Sequence, residues 1–372
     1  MKRILSILLG WAMCGLAGAQ GVTDTQVVLG QSVALTGPAQ QLGLDMQLGA
    51  TLYFNQVNAR GGVNGRKIVL KTLDDGYEST RAADNTRKLI NDEKVFALFG
   101  YVGTPTSAAS LPIFTEAKVP FVGPFTGAEL LRSPHNRYIF HVRASYYDET
   151  EAIVQHLTAM SVDKIAVFYQ NDAYGQAGLA GVERALKKRN LQVAAKATVE
   201  RNTIEVKKSV EEMVKAQPQA IVMISAYKSC AAFITEMKKA GSNPTFWNVS
   251  FVGSKALAKE LDREGRGVQI SQVVPFPWDA TVPVVKEYRK LLEEVKGEPG
   301  FGTLEGFIAA KVMVEGLRRA GRSLNRETFI RAMETLDPYD AGGFKVSFRP
   351  DNHNGSKFVD LTIISRDQRF VR

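Results

Sequence analysis

The sequence predicts an α/β chain of two doubly wound parallel-sheet lobes joined by a three-segment hinge. Three observations carry that expectation. β-branched apolar runs alternate with amphipathic stretches from one end to the other, the pattern of parallel strands with helices on both faces. There are about ten such runs, more than one open sheet comfortably holds, so two sheets of about five strands suit the length better. The spacing restarts at residues 140–150, FHVRASYYDET, and Pro275 and Pro277 interrupt it again in VVPFPWDA.

Taken in order, the first segment stands outside the fold. Lys2 and Arg3 precede the apolar run 4–16, and Ala17-Gly18-Ala19 offers small residues for cleavage. That is the pattern of a secretory leader, residues 1–19, too short to span a bilayer. Cys14 follows the bulky Met13, which argues against a lipoprotein anchor. The exported remainder is expected to be soluble and periplasmic. Strands are expected at 27–33, 68–73, 95–100, 120–123 and 139–142, with helices at 44–58 and 80–91. A second set follows at 165–169, 192–199, 220–224, 245–249 and 268–274, with helices at 149–160 and 206–216. Helices at 282–295 and 303–320 should return to the first lobe, and a final strand at 358–365 should follow a third crossing. The lobes are thus 20–143 with 276–346, and 144–275 with 347–372.

Composition excludes several functions. After the leader, Cys230 is the only cysteine, so no intrachain disulfide forms. Beside Ala231, Ala232 and Phe233 it reads as a small packed hydrophobe. The formal charge is +9, or +7 without Lys2 and Arg3. It is spread over segments such as ALKKRN and LRRAGR, not gathered into the stripe that nucleic-acid binding needs. There is no G-x-S-x-G elbow, phosphate loop or H-E-x-x-H helix. GFGTLEG approaches a dinucleotide fingerprint, but its sixth position is Glu305 and no strand is expected before it. The four histidines lack metal-ligand spacing. No enzyme and no cofactor are expected.

Ligands of open parallel sheets bind beyond the carboxyl ends of the strands. Two such ends, LFGYVGTPTSAASLP (98–112) and VPFVGPFTGAELLR (119–132), read strand, glycine, threonine, helix. A helix start offers free N–H groups and a positive dipole end to a carboxylate. Thr104 and Thr126 would add neutral donors, with Tyr101 and Phe125 beside them. Thr106 and Ser107 read as helix caps. The second lobe supplies Tyr174 in FYQNDAYGQAG, with Asp172 as an N-cap, then Tyr227 and Lys228 in MISAYKSC, and Ser250 and Phe251 in WNVSFVG. Aromatics at several strand ends fit a pocket closing on an apolar body, and Lys228 is a cation for a second anionic group.

These segments, with LGQSVALTGPAQQLG, YFNQVNARGGVNGRKIVL and TLDDGYESTRAADNTRKLI, resemble the periplasmic leucine/isoleucine/valine-binding proteins of ABC importers, the type I periplasmic-binding fold. The resemblance spans nearly the whole chain after the leader. It implies two lobes that close on a small carboxylate ligand and deliver it, as a monomer, to permease subunits in the inner membrane. Thr104 matches the hydroxyl that holds the ligand carboxylate, Thr126 a second threonine, and Tyr174 and Tyr227 the tyrosines of the second lobe. Two positions depart from the family. Leu42 stands where an aromatic residue is common, and Ser250 where a glutamate pairs with the ligand's ammonium. A buried ammonium without an anion is costly. Either another acid, such as Asp279 or Glu305, replaces that glutamate, or the ligand is an aliphatic or aromatic acid. A periplasmic sensor of the same fold is the alternative function.

Overall fold

The computed structural model describes residues 20–372; the leader expected at 1–19 lies outside them. Buried β-branched and aromatic runs form the first sheet: β1 (Gln26–Val33), β2 (Lys67–Asp74), β3 (Ala97–Phe99), β4 (Phe121–Val122) and β5 (Ile139–Phe140). The order is β2-β1-β3-β4-β5, all parallel. Parallel neighbours need crossover connections, here α1 (Gln40–Ala59), α2 (Ser79–Asn91) and α3 (Thr104–Glu116).

The chain then crosses to the second sheet. In sequence come α4 (Tyr146–Ala159), β6 (Ile165–Gln170), α5 (Ala173–Lys187), β7 (Lys196–Val199), α6 (Lys207–Ala216) and β8 (Ala220–Ile224). They are followed by α7 (Tyr227–Lys239), β9 (Thr245–Asn248), α8 (Ser254–Leu261) and β10 (Gln269–Gln272). A second crossing carries α9 (Pro283–Glu294), α10 (Phe301–Ala320), α11 (Arg326–Met333) and the small hairpin β11 (Tyr339–Asp340) and β12 (Lys345–Val346) back to the first lobe. A third returns β13 (Asp360–Ile364) and β14 (Phe370–Val371) to the second.

The second sheet has seven strands, β14-β13-β10-β9-β8-β6-β7; β13 is the final strand expected at 358–365, and β14 is one more than expected. β13 is antiparallel to β10, and β14 to β13. The cause is topological. β10 leaves the sheet at the end where the third crossing enters it, so the strand laid beside β10 must run the other way.

Packing fixes how the returning helices sit. α1 and α10, each of 20 residues, lie together along the first sheet. Gly49 and Gly306 let them approach: a Cβ on Gly49 would stand 1.9 Å from the Thr303 carbonyl oxygen, and one on Gly306 2.4 Å from that of Met46. The first and third crossings are themselves paired, His141 N–H to the His353 carbonyl at 2.9 Å and Gly355 N–H to that of His141 at 2.7 Å. α4 opens on a capping box of Ser145 and Asp148, and Asp172 caps α5 by accepting from the Tyr174 N–H at 2.9 Å.

One expected helix is absent. The segment after β4 forms no α-helix, only a single 3₁₀ turn at Glu129–Leu131. Residues 123–127 instead prolong the strand pairing. Phe125 N–H donates to Tyr101 O at 2.8 Å, Gly103 N–H donates to Phe125 O at 3.2 Å, and Tyr146 N–H donates to Gly127 O at 2.8 Å. Backbone groups committed to neighbours in this way are not free to start a helix.

Candidate functional site: a cleft between two sheets

The carboxyl ends of both sheets face one gap. On the first lobe, Gly103 turns the chain from β3 into α3 with a positive φ of 104°, and a Cβ there would stand 2.3 Å from the Tyr77 ring. Thr104 follows in the first turn of α3. Its hydroxyl meets that of Thr126 at 2.6 Å, and Thr126 reaches the Tyr146 hydroxyl at 3.4 Å. All three side chains are fully buried. The two threonines singled out in the sequence therefore meet, although only Thr104 stands at a helix start.

From the second lobe, Tyr174 and the 3₁₀ turn Ser250–Val252 close on this pair. The Phe251 ring lies 4.6 Å from Tyr174, 5.5 Å from Phe125 and 5.9 Å from Tyr77. Beneath them is an ionic floor that sequence reasoning missed. Arg143, in the first crossing, is 1% exposed. It donates to Glu149 at 2.9 Å and to the Ser250 hydroxyl, and its other terminal nitrogen stands 3.4 Å from Glu305. Its guanidinium also lies over the rings of Phe125 and Tyr146. Glu149 accepts further bonds from the Ser250 N–H at 2.8 Å and the Ser271 hydroxyl at 2.6 Å.

One cation thus faces two buried carboxylates. Glu149 takes most of the hydrogen bonds, so Glu305 is the carboxylate left short. Burial pushes its pKa up to about 7 against the pull of Arg143. Burial likewise raises Asp45 to about 6, opposed by the Gln41 amide and Lys255. Glu305 and Asp45 both line a small cavity with Leu42, Ser250, Gln272 and Phe301; it leaves about 10 Å³ for the centre of a water-sized body, room for one water at most. Asp279, the other acid considered, lies elsewhere: it bonds the Thr281 hydroxyl and stands 3.8 Å from Arg372.

Several buried donors here lack a partner. Arg143 Nε and Nη1 and the Tyr174 hydroxyl are buried without a hydrogen-bond partner among the described residues. Such orphans are rare unless something else satisfies them.

The remaining expected residues divide. Tyr227 and Lys228 line an outer cleft of about 600 Å³ with Gln40, Lys255 and Glu298, spanning both lobes. Tyr101 stands apart, its hydroxyl 3.1 Å from that of Thr86 and its ring packed 5.1 Å from Phe121 in the first lobe's interior. Cys230 is buried, its thiol held up in pKa by that burial.

A second set of contacts closes the rim. Arg201 donates to Ser79 at 2.9 Å and to Glu78 at 3.0 Å. Asn202 donates to the Gly76 carbonyl at 3.1 Å and to Glu78 at 2.6 Å. Lys255 and Glu298 pair across the opposite side at 2.5 Å. Among the described residues no helix is long and apolar enough to cross a membrane, and no cluster of His, Cys, Asp and Glu is arranged to hold a metal ion.

Two open α/β sheets meeting at their carboxyl ends over a polar-floored, aromatic-walled gap define a two-lobed ligand-binding protein. The sequence profile described as "periplasmic binding protein" matches residues 26–367, and the chain belongs to that family. A possible leucine/isoleucine/valine-binding protein from Rhodopirellula baltica superposes with a TM-score of 0.90 at 32% identity, over 94% of this chain and 97% of that one. A substrate-binding periplasmic protein from Ralstonia solanacearum gives 0.88 at 31% identity, over 93% and 99%. In sequence, the Leu/Ile/Val-binding protein homolog 7 of Brucella suis is 23% identical over 95% of this chain and 92% of its own length.

Proposed function

We propose that this chain is the extracytoplasmic solute receptor of an ABC importer, capturing a small carboxylate-bearing ligand between its lobes and releasing it unchanged. The observation that carries the reading is the set of unpartnered buried donors on Arg143 and Tyr174 beside the Thr104–Thr126 pair. A carboxylate is the ligand group that accepts from such donors, and aromatic walls suit an apolar body. Thr104, Thr126, Phe125, Tyr174 and Ser250 form the inner site. Tyr227 and Lys228 serve the entrance, and Tyr101 supports the lobe behind it. The lobe limits expected from the sequence, export to the periplasm, a monomeric state and delivery to membrane permease subunits belong to the same proposal.

The names of the relatives favour a branched-chain amino acid. The residues leave room for a simple acid, because Glu305, the acid within the site, is already drawn to Arg143 at 3.4 Å. A thermal-shift panel of amino acids, aliphatic acids and aromatic acids separates the two, since a ligand of the folded state alone raises its stability. A shift by branched-chain amino acids and not by simple acids identifies an amino-acid receptor with Glu305 as ammonium partner. The reverse identifies an organic-acid receptor. No shift by any carboxylate, or recovery of an altered compound, overturns the proposal.

A further inference from the structure

The centre of the cleft is occupied by the protein itself. Phe251 is fully buried, yet its ring neighbours come from both lobes: Tyr77 and Phe125 from the first, Tyr174 from the second. A phenylalanine of an ordinary lobe core packs within its lobe, as Phe168 does on Phe233 at 4.0 Å. The burial of Phe251 therefore draws on both lobes. Its backbone is also fixed. Ser250, the residue before it, is held by Glu149 through both its N–H and its hydroxyl. Gly253, two residues after it, has a φ of 82°, and a Cβ there would stand 2.6 Å from Leu42 of the first lobe. The ring therefore cannot leave the gap by a small shift of its turn.

We propose that Phe251 sets the size of the ligand: its ring stands where the far end of a longer ligand would lie, and in the empty protein it substitutes for that body in holding the lobes together. This rests on the reading of the cleft as a carboxylate site. The cavity beside Ser250 offers only about 10 Å³, and the space between Tyr77, Phe125 and Tyr174 is filled by the ring, so an enclosed acid must be short or must displace the ring. Removing the phenyl group leaves a space walled by Tyr77, Phe125 and Tyr174, suited to a ligand that brings its own ring.

The test compares the wild type with Phe251→Ala and Phe251→Leu, using butyrate, phenylacetate, 4-phenylbutyrate and toluene as probes. Phe251→Ala should expand the ligand-free protein in small-angle X-ray scattering, and toluene or phenylacetate should compact it again. Its preference for 4-phenylbutyrate over butyrate should rise at least tenfold relative to wild type, with Phe251→Leu between them. Unchanged dimensions and an unchanged order of preference in both variants, with only a lowered melting temperature, would make Phe251 a packing residue and overturn the proposal. If the Ala variant does not fold, the Leu variant alone decides between these outcomes. Expansion reversed by toluene, with no carboxylate binding to any form, would sustain the plug while removing the carboxylate reading.

Discussion

Two sets of contacts bridge the same gap, and they differ in almost every physical respect. The floor, built on Arg143, Glu149 and Glu305, is sealed from water and carries one positive against two negative side chains. The rim, built on Arg201, Asn202 and Glu78, leaves those side chains partly exposed, 23% for Arg201 and 43% for Glu78. Water and salt weaken each rim pair to a fraction of its Coulomb value. Nothing screens the floor, so a single altered charge there must be felt. If the lobes part and close, the floor is expected to decide whether they fit together and the rim to bias how long they stay so.

The largest expected effect breaks the floor. Arg143→Ala leaves two buried carboxylates without their cation and should destabilise the protein by about 3–5 kcal/mol, read by urea unfolding at neutral pH. A loss below about 1 kcal/mol, the range of an exposed pair, would erase the distinction between floor and rim.

Next in size is a dependence on pH. Glu305 has a folded pKa of about 7 against an ordinary 4.5. Between those values the unfolded chain gives up a proton that the folded one keeps, so stability falls as pH rises through the window and then levels. The cost at pH 8 is at most about 3 kcal/mol. Glu305→Gln should match the wild type near pH 4.5 and exceed it at pH 8, measured by denaturation across that range. Parallel curves for the two proteins would show that Arg143 neutralises both carboxylates.

A smaller loss is expected at the wall above the floor. Thr104→Ala removes a fully buried hydroxyl from the Thr126 pair. It should weaken binding of whichever carboxylate shifts the wild type by about 1–3 kcal/mol, read by titration calorimetry. Unchanged affinity takes Thr104 out of the site.

The rim should respond least. Arg201→Ala should cost about 0.5 kcal/mol of closure at low salt and nothing measurable at high salt, followed by scattering or a distance label across the lobes. A salt-independent loss of several kcal/mol would place the controlling contacts at the rim.

How much of this was legible in the sequence follows the same division. The strands and helices were readable because β-branched runs and 3.6-residue periodicity are local signals, and Thr104 and Thr126 were found because each closes a strand-glycine motif. The identical look of their two segments misled in one respect. After β4 the backbone pairs with Tyr101, Gly103 and Tyr146 and forms no helix, an outcome decided by residues far along the chain. Tyr101 shares the motif with Thr104 but bonds Thr86 inside the lobe. Arg143 was visible only as a lone cation in an apolar stretch at the lobe boundary. Its partners stand at positions 149, 250 and 305, and no local pattern links them. Isolated charge at a crossing is the one signal that could have found it.

The reversed strand β13 has a bearing on how the molecule is made. Until residues 360–364 have been threaded back across, β10 keeps an unpaired edge with nothing to mask it. The second lobe, begun at α4, is therefore completed only by residues 360–371, after an excursion through the first. Without those residues the second sheet lacks two of its seven strands. Truncation before residue 360 should produce an aggregation-prone species, not a smaller two-lobed protein.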